Sequence, residues 1–126
     1  MVLHLEFNLL DGRLALTQLP PGSAAPVWAR GQFVSITQSP EGISVVSDEA
    51  AVPADLKTRG GFRCLEIAGA FELSSVGVLA AAVQPLSEAG VSLFAYSTWE
   101  TDYILVHGDD LHRATAALTK AGHKVR

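Results

Sequence analysis

Six residues, Ser97-Thr98-Trp99-Glu100-Thr101-Asp102, bring three hydroxyls, two carboxylates and an indole into one short stretch. Such a set can hydrogen-bond a polar ligand, and its carboxylates favour a cationic group on that ligand. The plain alternative is a polar hairpin loop in which Asp and Thr bond their own backbone. Trp99 fits that alternative least, since a large aromatic at a loop tip usually packs on something. A second stretch of interest is Ala68-Gly69-Ala70-Phe71-Glu72-Leu73-Ser74-Ser75-Val76-Gly77, which leads from a strand into a helix start. Backbone N–H groups left unpaired there favour an anion such as a carboxylate. Gly77 lets a ligand or a neighbouring backbone come close. The alternative is that Ser74 or Ser75 simply caps the helix and Gly77 permits tight packing.

Other chemistry is thin. No Ser lies in a Gly-x-Ser-x-Gly elbow, and no Gly-rich phosphate loop is present. Cys64 lies between Arg63 and Leu65 in a strand-like run and reads as a buried, inert thiol. His4, His107, His112 and His123 lack the pairing of a zinc site and read as solvated surface residues, so no metal is expected. The acidic pairs Asp48-Glu49 and Asp109-Asp110 precede helical turns, where capping and the helix dipole explain them. No catalytic residue and no cofactor is therefore expected.

The chain has 126 residues, 48% of them hydrophobic, with a formal net charge of −4. That is ample material for a packed core. The nine Lys and Arg residues are scattered, which argues against nucleic-acid or membrane-surface binding. No apolar run approaches the roughly 18–20 residues of a membrane-spanning helix. The opening Met1-Val2-Leu3-His4-Leu5-Glu6 is unlike a signal peptide, and a lone cysteine suits a reducing compartment, so a cytoplasmic location is expected.

The elements that must position the two loops are readable from periodicity. Leu3, Leu5, Phe7 and Leu9 alternate with polar residues as a strand, and Leu14–Leu19, Phe33–Gln38 and Ile43–Ser47 are further strands. Single helical turns are expected at Ala24–Ala29, with Trp28 as a buried anchor, and at Asp48–Val52. A polar loop is expected at Ala54–Gly61. Phe62–Ala68 reads as a strand. A helix then runs from a Ser74 or Ser75 cap to about Ala89, with Val76, Leu79, Ala80, Val83 and Leu86 on its buried face and Gly90 at its end. Pro85 should kink it, because proline removes the bond to the Ala81 carbonyl. Strands at Val91–Tyr96 and Tyr103–His107 flank the hydroxyl-rich loop. A second helix capped by Asp109 buries Leu111, Ala114, Thr115 and Leu118, and Lys124–Arg126 closes the unit.

Residues 62–126 thus form a complete β-α-β-β-α-β unit, an α+β ferredoxin-like arrangement. Residues 1–61 repeat the strand order with single turns in place of helices, which predicts a pseudo-tandem. The strand Val91–Tyr96 is apolar on both faces. The face away from the helices needs a cover, either the first half of the chain or a second subunit, and a homodimer is expected.

Phe71 to Leu79 resembles the strand–helix segment of ACT domains, regulatory modules that bind amino acids. Ser97-Thr98-Trp99-Glu100-Thr101-Asp102-Tyr103-Ile104-Leu105-Val106 is similar to the Ser-Thr-x-x-Thr-Asp-Tyr-Ile-Leu-Val signature of a subfamily of small bacterial ACT proteins. That subfamily is similar to aspartate kinase regulatory regions and to the CASTOR arginine sensors. Ile43-Ser44-Val45-Val46 and Val52-Pro53 fit the same subfamily, while Gly42 stands where an acid is often found. The resemblance implies a pair of ACT-like units that sense an amino acid or similar small metabolite across an interface between such units. It implies ligand contacts at Ser74, Ser75, Val76 and Gly77, and it adds Ser97, Thr98, Thr101 and Asp102. The competing reading is a structural or protein-interaction module with no ligand.

Overall fold

The computed structural model describes residues 3–68 and 76–126. The chain divides into two compact units, Asp11–Phe62 and the residues up to Leu10 together with Arg63–Arg126.

Asp11–Phe62 holds β2 (Leu14–Leu19), β3 (Ser35–Ser39), β4 (Gly42–Asp48) and the first half of β5 (Lys57–Ile67). The order is β3-β4-β2-β5, antiparallel throughout. This is the strand order of a ferredoxin-like sheet without its helices. A single 3-10 turn, Glu49–Ala51, stands in for the second helix, as the sequence predicts near Asp48–Val52. The first helix is replaced by irregular chain. The expected helical turn at Ala24–Ala29 is instead closed by two tight bonds, Val27 N–H to the Ala25 carbonyl and Ala29 N–H to that of Pro26. Trp28 still anchors this segment: with Ala29 and Leu56 it packs on the buried cluster Leu19, Ile43 and Val45.

The expected polar loop at Ala54–Gly61 is a strand from Lys57 onward. Its two glycines mark a bulge, not a break. The register with β2 slips between Leu14↔Phe62 and Leu16↔Arg59, and Gly61 takes a positive φ of 84°. Its N–H donates to Glu49 Oε1 at 2.7 Å, and a Cβ on Gly60 would collide with the same carboxylate. The polarity of Lys57-Thr58-Arg59 is that of a strand end whose first three residues are exposed.

The other unit contains β1 (Glu6–Leu9), the second half of β5, α1 (Val78–Glu88), β6 (Leu93–Ser97), β7 (Asp102–His107), α2 (Leu111–Lys120) and β8 (Lys124–Val125). Its strands run in the order β6-β7-β5-β1-β8. β1 is antiparallel to β5 and parallel to β8. The sequence reading placed all of residues 1–61 in the first half, yet β1 belongs here. Phe7 on β1 and Leu5 just before it complete the core between sheet and helices, with Leu65, Ile67, Ile104 and Val106 from the strands and Val78, Ala82, Leu86, Ala114 and Leu118 from the helices.

Both helices start later than the sequence suggests. α1 begins at Val78 with Gly77 at its N-cap, and no side-chain cap closes it; Ser74 and Ser75 lie outside the described residues. Its buried face is Val78, Ala82 and Leu86, spaced by four. Of the expected face, Leu86 is buried, Leu79 and Val83 are half-buried, and Ala80 and Val76 are exposed. α2 buries Ala114 and Leu118, with Leu111 and Thr115 half-buried, as its period predicts. The expected Asp109 cap is replaced: the His107 side chain accepts from Asp109 N–H at 3.2 Å and opens a 3-10 turn, Gly108–Asp110, ahead of α2.

Candidate functional site

The two loops singled out in the sequence lie at the ends of β5 and β6. Strands β6 and β7 pair in register from Leu93↔Val106 to Ser97↔Asp102, so their connection is the four-residue tip Thr98–Thr101. The tip is tightly self-bonded. Thr98 N–H and Thr98 Oγ1 both donate to the Thr101 carbonyl, at 2.9 and 3.1 Å. Thr101 N–H donates back to Thr98 Oγ1 at 3.4 Å, and Ser97 Oγ donates to Asp102 Oδ1 at 2.5 Å. Thr101 Oγ1 reaches further: it donates to the carbonyl of Ile67, the last residue of β5, at 2.7 Å. That bond holds the hairpin tip against the end of β5 from which the chain departs toward α1.

Of the eight candidate ligand residues, Ser97, Thr98, Thr101 and Asp102 are therefore brought together on one hairpin. Val76 and Gly77 lie at the start of α1, where Val76 is 92% exposed and Gly77 adopts φ 87°. Trp99 does not pack on anything large, contrary to expectation; it is 80% exposed at the tip.

Val76 and Gly77 also open onto a groove of about 930 Å³ between α1 and α2. Ala80, Pro85, Ala117 and Lys120 line it, and His123 is part of its wall. The sequence reading treated His123 as a surface residue, but it is buried, with 5% exposure. Its ring packs edge-on against Phe7, accepts from Leu5 N–H at Nδ1 (2.9 Å) and meets the Ala81 carbonyl at Nε2 (3.0 Å). Pro85 shows in the sequence that the Ala81 carbonyl lacks its helical donor, but not which residue supplies one.

Electrostatics adds little reactive chemistry. Burial, and then the charge of Glu66, push the Cys64 thiol up to about 12, so it stays a neutral thiol near pH 7. Burial raises Tyr96 as well. Tyr103 is raised by burial and by its hydrogen bond and charge contact with Glu66. Among the described residues, no group of three His, Cys, Asp or Glu side chains could hold a metal ion, and no helix is long and apolar enough to cross a membrane.

The strand order β6-β7-β5-β1-β8 with α1 and α2, and a hydroxyl-bearing hairpin bonded to the end of β5, is a ferredoxin-like arrangement. A model of the ACT domain matches residues 57–120, and the chain belongs to the ACT domain family. It is similar over 99% of its length to protein Atu0741 of Agobacterium tumefaciens, at 30% identity, a TM-score of 0.94 and 94% coverage of that chain. A protein of unknown function from Vibrio cholerae, VC0802, described as a possible transport protein, is 21% identical over 94% of this chain and 90% of its own, with a TM-score of 0.76. The regulatory subunit of aspartate kinase from Thermus thermophilus shares the fold at 13% identity and a TM-score of 0.64, over 91% of this chain and 95% of that one. Among curated protein sequences, none matches this chain.

Proposed function

We propose that this protein is a ligand-sensing regulatory module that binds an amino acid where the β6–β7 hairpin meets the β5–α1 connection. The observation that supports the reading is the bond from Thr101 Oγ1 to the Ile67 carbonyl, which gathers the hydroxyl-rich hairpin at the strand end leading to Gly77. Membership of the ACT family supports the sensing role, and regulatory subunits of aspartate kinase share the fold. Ser74, Ser75, Val76 and Gly77 would meet the ligand's carboxylate and ammonium groups. Ser97, Thr98, Thr101 and Asp102 would hold or shape the opposite wall, and Glu100, which is exposed, favours a cationic group.

The working assembly in this reading is a cytoplasmic homodimer. Ile104 and Val106 face the helices, so Tyr103 and Leu105 point to the other side of the sheet with their register partners Tyr96 and Phe94. On that side Leu105 is already covered, at 1% exposure, while Phe94 is 37% exposed, so the apolar surface left for a second copy lies at Phe94. Light scattering at micromolar concentration should give twice the mass of the chain; a monomer would remove the dimer from the account.

Chemical-shift mapping with the twenty amino acids tests the site. Binding should move the amide signals of Gly77, Thr98 and Thr101 and leave those of β3 and β4 in place. Movement confined to other elements would place the site elsewhere. A second reading is favoured by one observation: the hydroxyls of Ser97, Thr98 and Thr101 already have partners within the protein. In that reading the hairpin is a rigid surface for a protein partner, and no amino acid moves any signal.

A further inference from the structure

The two outer strands of the order β6-β7-β5-β1-β8 end the sheet in different ways. β8 is two residues long, with exposed Lys124 in it and the Arg126–Glu6 ion pair beside it. Short length and charge are the usual protection of an edge against pairing with another chain. β6 has neither. The run Val91-Ser92-Leu93-Phe94-Ala95-Tyr96-Ser97 contains no charge, no proline and no glycine. Its register with β7 is continuous from Leu93↔Val106 to Ser97↔Asp102, so no bulge twists the edge away. Every second residue of such a strand turns its N–H and C=O away from the sheet. Two large apolar side chains are exposed on the same hairpin, Phe94 at 37% on the strand and Trp99 at 80% on the tip.

We propose that β6 pairs antiparallel with β6 of a second copy about a two-fold axis at Ala95, so that two sheets continue as one. The pairing rests on the homodimer of the proposed function and says how its copies join. Self-pairing about Ala95 sets Phe94 opposite the partner's Tyr96, and Tyr96 opposite the partner's Phe94. Both side chains lie on the sheet face away from the helices, because Leu93 and the register partner of Ala95, Ile104, face the helix core. Aromatic pairs across strands are among the stabilising ones. The small Ala95 meets its own copy at the axis, Leu93 meets the partner's Ser97, and no like charges face each other. Beyond Ser97, Thr98 and Trp99 run alongside the partner's Ser92 and Val91, which gives the exposed indole a surface to cover. The tip of each proposed site thus lies at the start of the partner's β6, and the partner supplies Ser92 beside Thr98. A foreign strand could satisfy the open backbone groups, but only a second copy provides the matched aromatic pairs, and a two-fold contact closes at two copies.

The test places charge at the axis. Ala95 is exposed in the single chain, so Ala95→Lys and Ala95→Glu leave the core untouched. Each variant alone sets like charges directly opposite one another, which opposes pairing. Light scattering of the full chain should show its mass fall twofold, from dimer to monomer. An equimolar mixture of the two variants should return to the dimer mass. A wild-type dimer that survives Ala95→Lys overturns the pairing and leaves the homodimer on another surface. A mixture that stays monomeric overturns the pairing too, and a wild-type monomer overturns both. Should the variants not fold, hydrogen exchange of the wild-type protein decides the matter. Amides of β6 should exchange faster as the protein is diluted toward monomer, while those of β7 hold; β6 exchange that ignores dilution contradicts the pairing. Amino-acid binding is read separately, from the amide signals of Gly77 and Thr101.

Discussion

At the scale of single residues, Thr101 and Cys64 make separate claims. Thr101 Oγ1 joins the hairpin to β5 through one partly buried bond, so Thr101→Val, which keeps the branched shape, should cost about 1–2 kcal/mol in chemical denaturation. In the proposed function it should also weaken any amino-acid response. For Cys64 the sign follows from its elevated value. The folded thiol keeps its proton up to about pH 12, whereas an unfolded thiol loses it near the ordinary 9.0. Its contribution to stability is fully present below pH 9 and is lost as the pH rises from there toward 12. Native protein at about pH 8 should therefore resist iodoacetamide, and alkylation should appear on addition of denaturant. Rapid labelling of the native protein would contradict that burial. The inertness of Cys64 was legible from its apolar, strand-like setting. The burial of His123 was not, because its neighbours in sequence are Gly122 and Lys124 and its partners Leu5 and Ala81 lie far away in the chain.

At the scale of elements, α1 carries a proline in its last turns without ending there. An unpartnered proline inside a helix costs about 3 kcal/mol, but here the His123 ring bonds the carbonyl that Pro85 leaves open. Pro85→Ala should therefore change stability by less than about 1 kcal/mol in the wild-type background and stabilise a His123→Ala background by distinctly more. Unfolding curves for the double-mutant cycle would read that coupling. Additive effects would mean that the ring and the proline act independently. Leu86, fully buried on the same helix, should cost about 2–5 kcal/mol as Leu86→Ala. The existence and order of both helices and of most strands followed from periodicity, whereas the helical turn at 24–29 and the loop at 54–61 did not. What failed were phase and punctuation. Gly60-Gly61 resembles a loop in a linear reading, yet here the pair forms a bulge against Glu49, a partner eleven and twelve residues upstream. The stripe of α1 differs because the core takes Val78, Ala82 and Leu86, while Val76 lies ahead of the helix and Ala80 faces outward.

At the scale of the whole molecule, the ferredoxin-like plan and the degenerate first half were readable as a pattern of strands and turns. The place of β1 was not. Its alternation marks it as a strand, but nothing local says that it inserts beside β5 and next to β8, since the first pairing spans about half of the chain and the second nearly all of it. The two loops stood out in the sequence by composition, and the bond from Thr101 to Ile67, at the end of β5, needed three dimensions. Whether they act together is the central claim, and ligand-dependent stability tests it most directly. Thermal unfolding of the full chain should be followed with each of the twenty amino acids at millimolar concentration. An effector present at about 100 times its dissociation constant adds about 2.7 kcal/mol, which is roughly 10 °C for a chain of this size. The account predicts that at least one amino acid raises the midpoint on that scale and that Thr101→Val reduces the shift. A midpoint that no amino acid moves would contradict it.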